Sequence, residues 1–231
     1  MARTSLANIE QQLAQKAADF NKTVQQPQGR RIQLDQKTGN FIAPGDVNLG
    51  TEVRIIVVDF CSANRFYPGK YDPSNVVPPV CFAFGDIIDE MAPEAEAPEP
   101  QHENCKKCPH NQWGSNGNGK ACKNTRELAI VLADELEDPD YEPELFHVSV
   151  APSSIKHFDR CAIDINGLFN GPPIKAIVTM KSKSVKNWVE SDFTSPEPNP
   201  YLERVFDLME QAPELIARTP DLTNYKPSGR R

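Results

Sequence analysis

The residue types in this chain best suited to chemistry are four cysteines in its central part. Cys105 and Cys108 form a Cys-Lys-Lys-Cys knuckle, Cys122 ends a loop rich in Gly and Asn, and Cys81 lies upstream. Two thiolates at this spacing can bind one metal ion while a flexible loop returns further ligands. The pattern predicts a structural zinc site held by Cys81, Cys105, Cys108 and Cys122.

The identity of the fourth ligand is open. His102 and His110 flank the knuckle, and because imidazole is an equally competent zinc ligand, either could replace Cys81. Reduced cysteines without a metal are a further reading of the cluster. Cys61 and Cys161 lie in apolar surroundings, which favours their burial as small hydrophobic side chains.

Motifs of several enzyme classes are missing from the sequence. The glycines of the cysteine loop lack the preceding strand and following helix of a phosphate-binding site, and no Gly-x-Ser-x-Gly elbow occurs. His102-Glu103 ahead of the knuckle is faintly similar to the zinc-deaminase signature, but its spacing differs. We therefore expect a protein that is not an enzyme.

Charge is distributed in blocks along a chain whose net charge is −7. Two acidic runs, residues 86–103 and 134–144, enclose residues 105–126, which contain no Asp or Glu. Four thiolates on one zinc ion would carry about −2 and offset part of the positive charge between the runs. The remainder is available to an anion, and we hypothesise that one of the acidic runs screens it.

Aromatic and basic side chains alternate around the cysteines. Stacking of bases on aromatic rings, together with neutralisation of phosphates, holds single strands without reading their sequence. Phe82 and Phe84 share one face of a predicted strand, so core packing explains them at least equally well. The predicted nucleic-acid-binding residues are Arg65, Phe66, Tyr67, Lys70, Lys106, Lys107, Trp113, Lys120, Lys123 and Arg126.

The elements that must position these residues are predicted from hydrophobic periodicity and turn signals. Residues 62–73 are predicted to form a loop, and the acidic, proline-rich segment 91–100 an extended connector. The predicted strands are residues 31–34, 40–42, 51–60, 78–84, 126–133, 145–150, 174–180 and 187–193. The predicted helices are an amphipathic one in residues 1–30, a short one in 155–165 and a last one beginning at Asn199-Pro200.

The length of 231 residues suits one main domain with an inserted module. No stretch approaches the roughly 20 apolar residues of a membrane span, and the first residues lack the apolar core of a signal peptide. We therefore expect an intracellular protein with reduced thiols, which favours metal binding over disulfides.

The order of several motifs resembles a group of bacteriophage replication proteins regarded as single-stranded DNA-binding proteins. These motifs are Asn-Arg-Phe-Tyr-Pro, Pro-Pro-Val-Cys-Phe-Ala, Cys-x-x-Cys-Pro-x-Asn-x-Trp-Gly-Ser, Gly-Lys-Ala-Cys-Lys-Asn-Thr-Arg-Glu-Leu and Val-Ala-Pro-Ser-Ser. The resemblance covers roughly residues 41–193, and residues 100–128 are its specific part.

This resemblance implies a mainly β (α+β) fold with flanking helices, built on an oligonucleotide-binding (OB-fold-like) barrel with an inserted zinc module. With the terminal elements predicted above, the expected division is an N-terminal amphipathic helix (1–30), an OB-fold-like domain (31–195, with the zinc insertion at about 81–125), and a C-terminal helix with a polar tail (196–231). Position by position, the resemblance implicates Cys81, Cys105, Cys108 and Cys122 as ligands, and it assigns no DNA-contacting residue.

We therefore expect a non-catalytic single-stranded DNA-binding protein of phage DNA replication or recombination, with a structural zinc, in the host cytoplasm. Its expected partners are single-stranded DNA and phage replication proteins, with no membrane. Many single-strand binders end in an acidic tail, whereas this chain ends in Lys-Pro-Ser-Gly-Arg-Arg, so recruitment through a tail is not expected.

Two alternatives belong to other classes. A zinc-stabilised phage interaction protein, such as a virion component or a transcription accessory factor, would explain the negative net charge and the terminal helices. A zinc enzyme acting on nucleic acid would keep one metal position open for water.

Overall fold

A computed structural model of the chain describes residues 30–69, 72, 76–225 and 227, and these form a mainly β fold with few helices. The predicted N-terminal helix and Lys70 lie outside the described residues. The strands are β1 (Arg31–Leu34), β2 (Phe41–Ala43), β3 (Val47–Asn48), β4 (Glu52–Phe66), β5 (Cys81–Gly85), β6 (Cys122–Leu132), β7 (Phe146–Val150), β8 (Ala176–Val185) and β9 (Trp188–Pro198).

The described residues form three α-helices, of which the first follows β7 and the other two follow β9. They are α1 (Ile155–Phe169), α2 (Leu202–Val205) and α3 (Ala212–Ile216). Short 3-10 helices cover Ile88–Glu90, Pro109–Asn111, Ala133–Glu137, Pro173–Lys175 and Phe206–Glu210. No helix in the described part of the chain is long and apolar enough to cross a bilayer.

The nine strands form one sheet that curls into a half-barrel, in the order β3-β2-β1-β7-β6-β4-β8-β9. β5 pairs with the last part of β4, beyond the end of β8. β4 is the central element, because β6 follows it from Ile55 to Phe66 on one side, with a bulge between Val57 and Asp59. A bulge increases the local twist of a strand, which helps a sheet to curl.

Side chains alternate between two faces of this sheet, and each face packs against helices. On the first, which we call the α1 face, Leu128 and Ile130 of β6 pack with Phe158 and Ile165 of α1. On the second, the α3 face, Ala129 and Val131 pack with Val205, Ala212 and Ile216 of the C-terminal helices. Since successive residues of a strand point to opposite faces, the register assigns every residue of the central strands to one of them.

Most predicted elements are confirmed, including the hairpin of β1 and β2, the pairing of β6 with β7, and the irregular segment 91–100. Several boundaries are wrong: β8 covers residues 176–185 rather than 174–180, β9 ends at Pro198 rather than at residue 193, and α1 continues to Phe169 rather than ending at residue 165. Residues 62–66 were predicted to be loop but belong to β4, and β6 begins at Cys122 rather than at residue 126.

The last predicted helix is also wrong in part, since it is divided into α2, a 3-10 helix and α3. Pro213 lies in the first turn of α3, and because it has no N–H to donate, a helix running through it would lose a hydrogen bond. The segment still packs on the sheet through three buried apolar residues, Val205, Ala212 and Ile216.

Candidate metal centre and nucleic-acid interface

Strand register brings two of the predicted ligands to the same end of the sheet. Phe66, the last residue of β4, pairs with Cys122 of β6 on one side and with Cys81 of β5 on the other. Directly opposed residues point to the same face, so both cysteines lie on the α1 face. Their backbones are two strands apart, about 9 to 10 Å at ordinary strand spacing.

The knuckle with the other two cysteines is held over this end of the sheet by hydrogen bonds. The backbone N–H of Cys105 donates to the carbonyl oxygen of Met91 at 2.8 Å, and Asn111 donates from Nδ2 to the carbonyl of Cys105 at 2.9 Å. Asn124 of β6 donates to Asn111 Oδ1 at 2.9 Å, and Gln112 to the carbonyl of Cys108 at 3.0 Å. Amide side chains therefore tie the knuckle to the strand that carries Cys122.

The Gly-rich loop after the knuckle returns the chain to Cys122. Gly114 and Gly117 have φ angles of +88° and +59°, a region that glycine adopts more readily than other residues. A hydrogen bond of 2.9 Å from the N–H of Gly114 to the carbonyl of Gly119 closes the loop. The loop composition thus serves a tight backbone turn rather than phosphate binding.

The four thiols line one small cavity of about 10 Å³, together with His102 and His110. A volume of this order accommodates about one water-sized particle. All four cysteines are buried. Among the described residues, no group of three or more His, Cys, Asp or Glu side chains is arranged to hold a metal ion. The structure brings the predicted ligands to one cavity, and their role as ligands stays a prediction.

Electrostatics around the cavity match the chemistry of a cation site. Burial, together with the neighbouring thiols of Cys105, Cys108 and Cys81, raises the pKa of Cys122 to about 12. Burial also raises the pKa of Cys81 and that of Cys105. Thiolates that disfavour one another's charge are stabilised by a divalent cation between them, so the donor set fits a zinc ion.

The two remaining cysteines are buried away from this cavity, which confirms their prediction as hydrophobic side chains. Cys61 lies under the carbonyl of Ile216, with its Sγ at 3.8 Å, and Cys161 belongs to the core beneath α1. Burial raises the pKa of Cys61 to about 12 and that of Cys161 to about 11, so both thiols stay protonated at neutral pH.

The predicted nucleic-acid-binding residues are divided among three places. Arg65 and Lys123 lie on the α3 face, beside Tyr67 at the end of β4. Phe66 and Arg126 lie on the opposite, α1 face. The outer surface of the knuckle and its loop carries Lys106, Lys107, Trp113 and Lys120, all exposed.

Arg126 is engaged in a structural ion pair. Its Nε and Nη2 donate to the two carboxylate oxygens of Asp159 in α1, both at 3.0 Å, and its Nη1 donates to Ser62 Oγ at 2.9 Å. Only 9% of the residue is exposed. A guanidinium that is buried and paired in this way is not available to a phosphate, so the expectation for Arg126 is corrected to a tie between β6 and α1.

Phe66 has a comparable structural role, because its ring stacks on that of His110 with centroids 4.2 Å apart. Both residues line the cysteine cavity. The ring therefore covers the cavity instead of standing free for a base.

On the α3 face, aromatic rings and cations lie next to one another. Lys123 Nζ is 5.2 Å from the centre of the Tyr67 ring, and the guanidinium of Arg65 lies 5.3 Å from that of Phe84. Burial raises the pKa of Tyr67, and the charges of Arg65 and Arg31 oppose this rise.

Sequence reasoning identified Lys123 on this face but missed several other polar residues. In β6, Thr125 and Glu127 alternate with residues of the other face, and in β7 His147 and Ser149 do the same. β1 adds Arg31 and Gln33, since Ile32 between them belongs to the core under α1. The period-two alternation of polar residues in β6 and β7 is the signal that could have identified them.

Glu127 is the centre of a buried polar cluster on the α3 face. Its side chain is fully buried, yet its carboxylate accepts hydrogen bonds from Arg65 Nη1 at 2.6 Å, His147 Nε2 at 2.6 Å, Ser149 Oγ at 3.1 Å and Thr125 Oγ1. Burial by itself raises the pKa of Glu127, but the bond from His147 and the charge of Arg65 outweigh it and hold that pKa at about 2. The carboxylate is therefore ionised and neutralised by Arg65 at neutral pH.

The two acidic runs differ in what they touch. Asp89 of the first run forms an exposed ion pair of 2.6 Å with Lys106 of the knuckle. In the second run, Asp134 pairs with Arg54 at 2.8 Å and Glu144 with Arg30 at 3.3 Å. Within the described part of the chain, the observed ion pairs join only the first run to the basic stretch.

No protein-family model matches this chain, and no curated protein matches it significantly.

Proposed function

We propose that this protein binds single-stranded DNA without catalysis, across the α3 face, and that a zinc ion held by the four cysteines stabilises the adjacent knuckle. The observation that carries the proposal is Tyr67, whose ring lies 5.2 Å from Nζ of Lys123, with Arg65 paired opposite Lys123 on the same face of the sheet. A ring that can stack on a base, surrounded by cations that can neutralise phosphates, is the combination that single-strand binders use.

The net charge of −7 is compatible with this assignment, because acidic side chains near the start of β4 are distant from Tyr67, which follows its other end. Arg54, near the start of β4, is surrounded by Asp134, Glu137 and Glu197. Tyr67 follows the other end of the strand, roughly 40 Å away along the chain at about 3.3 Å per residue. Since the Debye length is about 8 to 10 Å at physiological salt, the acidic groups at one end are screened from an anion at the other.

The curled sheet is compatible with an OB-fold-like barrel, and the proposal includes that architecture. OB-folds bind oligonucleotides on the face of a small, partly open barrel. The segment between β5 and β6 holds the knuckle, and the proposal takes it as the zinc insertion expected at about residues 81–125.

Zinc would act here as a structural ion, because all of its proposed ligands are protein side chains. Cys81 is the better fourth ligand of the proposed set. The ring of His110 is stacked on Phe66, and Nδ1 of His102 accepts from the backbone N–H of Asn104 at 3.0 Å. Metal binding would fix the knuckle, whose exposed outer surface presents Trp113, Lys107 and Lys120 at the strand end that Tyr67 follows.

We place this activity in the DNA replication or recombination of a bacteriophage, in the cytoplasm of its host, where phage replication proteins would be further partners. That setting rests on the motif resemblance alone. The geometry of the α3 face supports the chemistry of binding and is independent of the setting.

The proposal is tested by fluorescence anisotropy with a labelled oligothymidylate of about 16 nucleotides, the upper site size of one OB-fold. We expect binding that weakens at least roughly sevenfold between about 50 and 200 mM salt, as contacts from Arg31 and Lys123 alone would require. Tyr67→Ala should weaken binding about fivefold to 150-fold, the effect of losing one stacked base.

Trp188→Ala is the matched control for that substitution. Trp188 is also aromatic and partly exposed, but it lies on the edge strand β9, beside the end of β8, which pairs with the start of β4 rather than with the end next to Tyr67. Equal losses in both variants would contradict the assignment of the α3 face, and a wild-type protein that does not bind the oligonucleotide would contradict the function.

An interaction protein is the second candidate, and exposed apolar residues favour it. Ile163 and Leu168 of α1 are 70% and 65% exposed, on the side of the helix away from the core. Such side chains are suited to a protein partner. Co-purification with another protein, without any binding of oligonucleotide, would favour this candidate over the first.

A further inference from the structure

We propose that His147 is an additional phosphate-binding residue of the α3 face, oriented by Glu127 and charged by the proton that it takes up when DNA binds. This inference rests on the proposed single-strand binding and adds a residue to its site that the sequence did not indicate.

The orientation of the ring follows from its bond to Glu127. The distance from Nε2 of His147 to Oε2 of Glu127 is 2.6 Å, and an ionised carboxylate can only accept hydrogen bonds. Nε2 must therefore carry the hydrogen. The second ring nitrogen, Nδ1, forms no hydrogen bond with the described residues and is not among their enclosed polar atoms. With 18% of the side chain exposed, Nδ1 is the atom that can meet a ligand.

Protonation of the His147 ring changes the net charge of the cluster formed by Glu127, Arg65 and His147. Glu127 and Arg65 together are neutral, so a second proton on His147 gives the cluster a charge of +1. The ring then offers Nδ1–H as a charged donor, whereas the neutral ring offers only an acceptor at that atom. A phosphate oxygen forms a charge-assisted hydrogen bond with the first form and is repelled by the second.

The surroundings of the ring contain both signs of charge. Arg31 of β1 is the register partner of His147, and Asp59 of β4 lies in the same row across Ala129. The charged and titratable groups that β1, β4, β6 and the approach to β7 present around the ring are Arg30, Arg31, Asp59, Arg65, Tyr67, Glu127 and Glu144. Arg30 and Glu144 pair with each other at 3.3 Å. Arg31 therefore provides a positive neighbour with which the protonated ring can share one phosphate.

The sign of the pH dependence follows from these groups. An imidazole changes its charge between about pH 5 and pH 8. As the pH falls through this range, protonation of the His147 ring costs less free energy, and the protonated ring is the form that binds the phosphate. The affinity for single-stranded DNA should rise as the pH falls, by roughly threefold to tenfold between about pH 8 and pH 6.

The experiment compares the wild type with His147→Gln in oligothymidylate titrations at about pH 6 and about pH 8. A glutamine Nε2 can still donate to Glu127, but it takes up no proton. We expect the variant to bind with similar affinity at both pH values, so its loss of affinity relative to the wild type is larger at the lower pH.

His157→Gln is the matched control. His157 of α1 is also half-buried beside two carboxylates, with Nε2 at 3.3 Å from Glu190 and Nδ1 at 3.4 Å from Asp192, but it faces β9. This variant should keep the tightening at low pH. Loss of the tightening in His157→Gln, or its persistence in His147→Gln, would overturn the inference while leaving single-strand binding in place.

A measurement on the wild type tests the same inference without depending on a variant that could fail to fold. In NMR spectra of the histidine rings, His147 should titrate at a higher pH with the oligonucleotide than without it. Unchanged titration of this ring in a complex that forms would overturn the inference. Absence of a complex at both pH values would instead overturn the proposed function on which the inference rests.

Discussion

The same end of the strands β4, β5 and β6 carries two surfaces that are stabilised by different means. On the α1 face the knuckle is held by amide hydrogen bonds and by the apolar contacts of only three buried residues, Ala83, Met91 and Cys105. On the α3 face the strands are held by a buried ionic cluster around Glu127, next to the large core beneath the C-terminal helices.

The two surfaces share one strand, β6, which contributes residues to both. In β6, alternate residues point to opposite faces, so Cys122 and Asn124 serve the knuckle while Lys123, Thr125 and Glu127 serve the polar face. The knuckle lacks the apolar area that stabilises an ordinary domain, and the proposed zinc ion would supply a cross-link in its place. The polar face depends instead on complete pairing of its charges.

The largest expected effect is that of zinc removal, which acts on the knuckle alone. Chelation, or Cys105→Ser, should abolish stoichiometric zinc and lower the thermal stability of the protein, because metal-binding free energy of a structural site is also folding free energy. Elemental analysis of protein isolated under reducing conditions, combined with calorimetry, measures both.

Cys61→Ala is the control, since Cys61 is buried on the α3 face outside the cavity. It should retain the metal. Protein that contains no stoichiometric zinc, or that loses it equally in both variants, would contradict the cross-linked knuckle.

The second effect concerns the ionic cluster. Glu127→Ala should destabilise the protein by about 3 to 5 kcal/mol, because it leaves Arg65 partly buried without its counter-ion. Chemical denaturation measures the change. Asp89→Ala, which removes the exposed partner of Lys106, should change the stability by about 0 to 1 kcal/mol. Similar losses in the two variants would contradict the buried network.

The cluster also predicts an acid limit of stability. The pKa of Glu127 is about 2 in the folded protein, below the ordinary value of 4.5, so the folded state favours the ionised form. The resulting stabilisation, roughly 3 kcal/mol, is complete above about pH 4.5 and is lost as the pH falls toward 2. Denaturation of Glu127→Gln over this range should show a smaller pH dependence than that of the wild type.

The smallest expected effect tests whether the acidic run screens the basic stretch. Asp89→Asn frees Lys106, so binding of single-stranded DNA should tighten by up to about threefold at low salt. Asp134→Asn removes a charge from the second run but acts on Arg54, and it should leave the affinity unchanged. Equal effects of the two substitutions in anisotropy titrations would contradict screening by the first run.

Part of the site could be predicted from the sequence and part could not. Spacing brings Cys105 and Cys108 together, because they are three residues apart in one turn. The last part of β4, residues 62–66, could not be predicted as strand, since Ser62 and Asn64 are polar residues typical of loops. They are buried in the strand because Arg126 and Asn124 of β6 are hydrogen-bonded to them.

The sequence by itself determined the β-rich class, most strand positions and the group of thiols, because these depend on local periodicity and short spacing. Tertiary structure alone decided which charges are free. Asp159 pairs with Arg126, which is therefore not available in the candidate interface, while Glu127 pairs with Arg65 and His147 of neighbouring strands. Pairings of this kind join residues distant in the chain, and the availability of a charge depends on such partners and on burial, neither of which is encoded in the residue type.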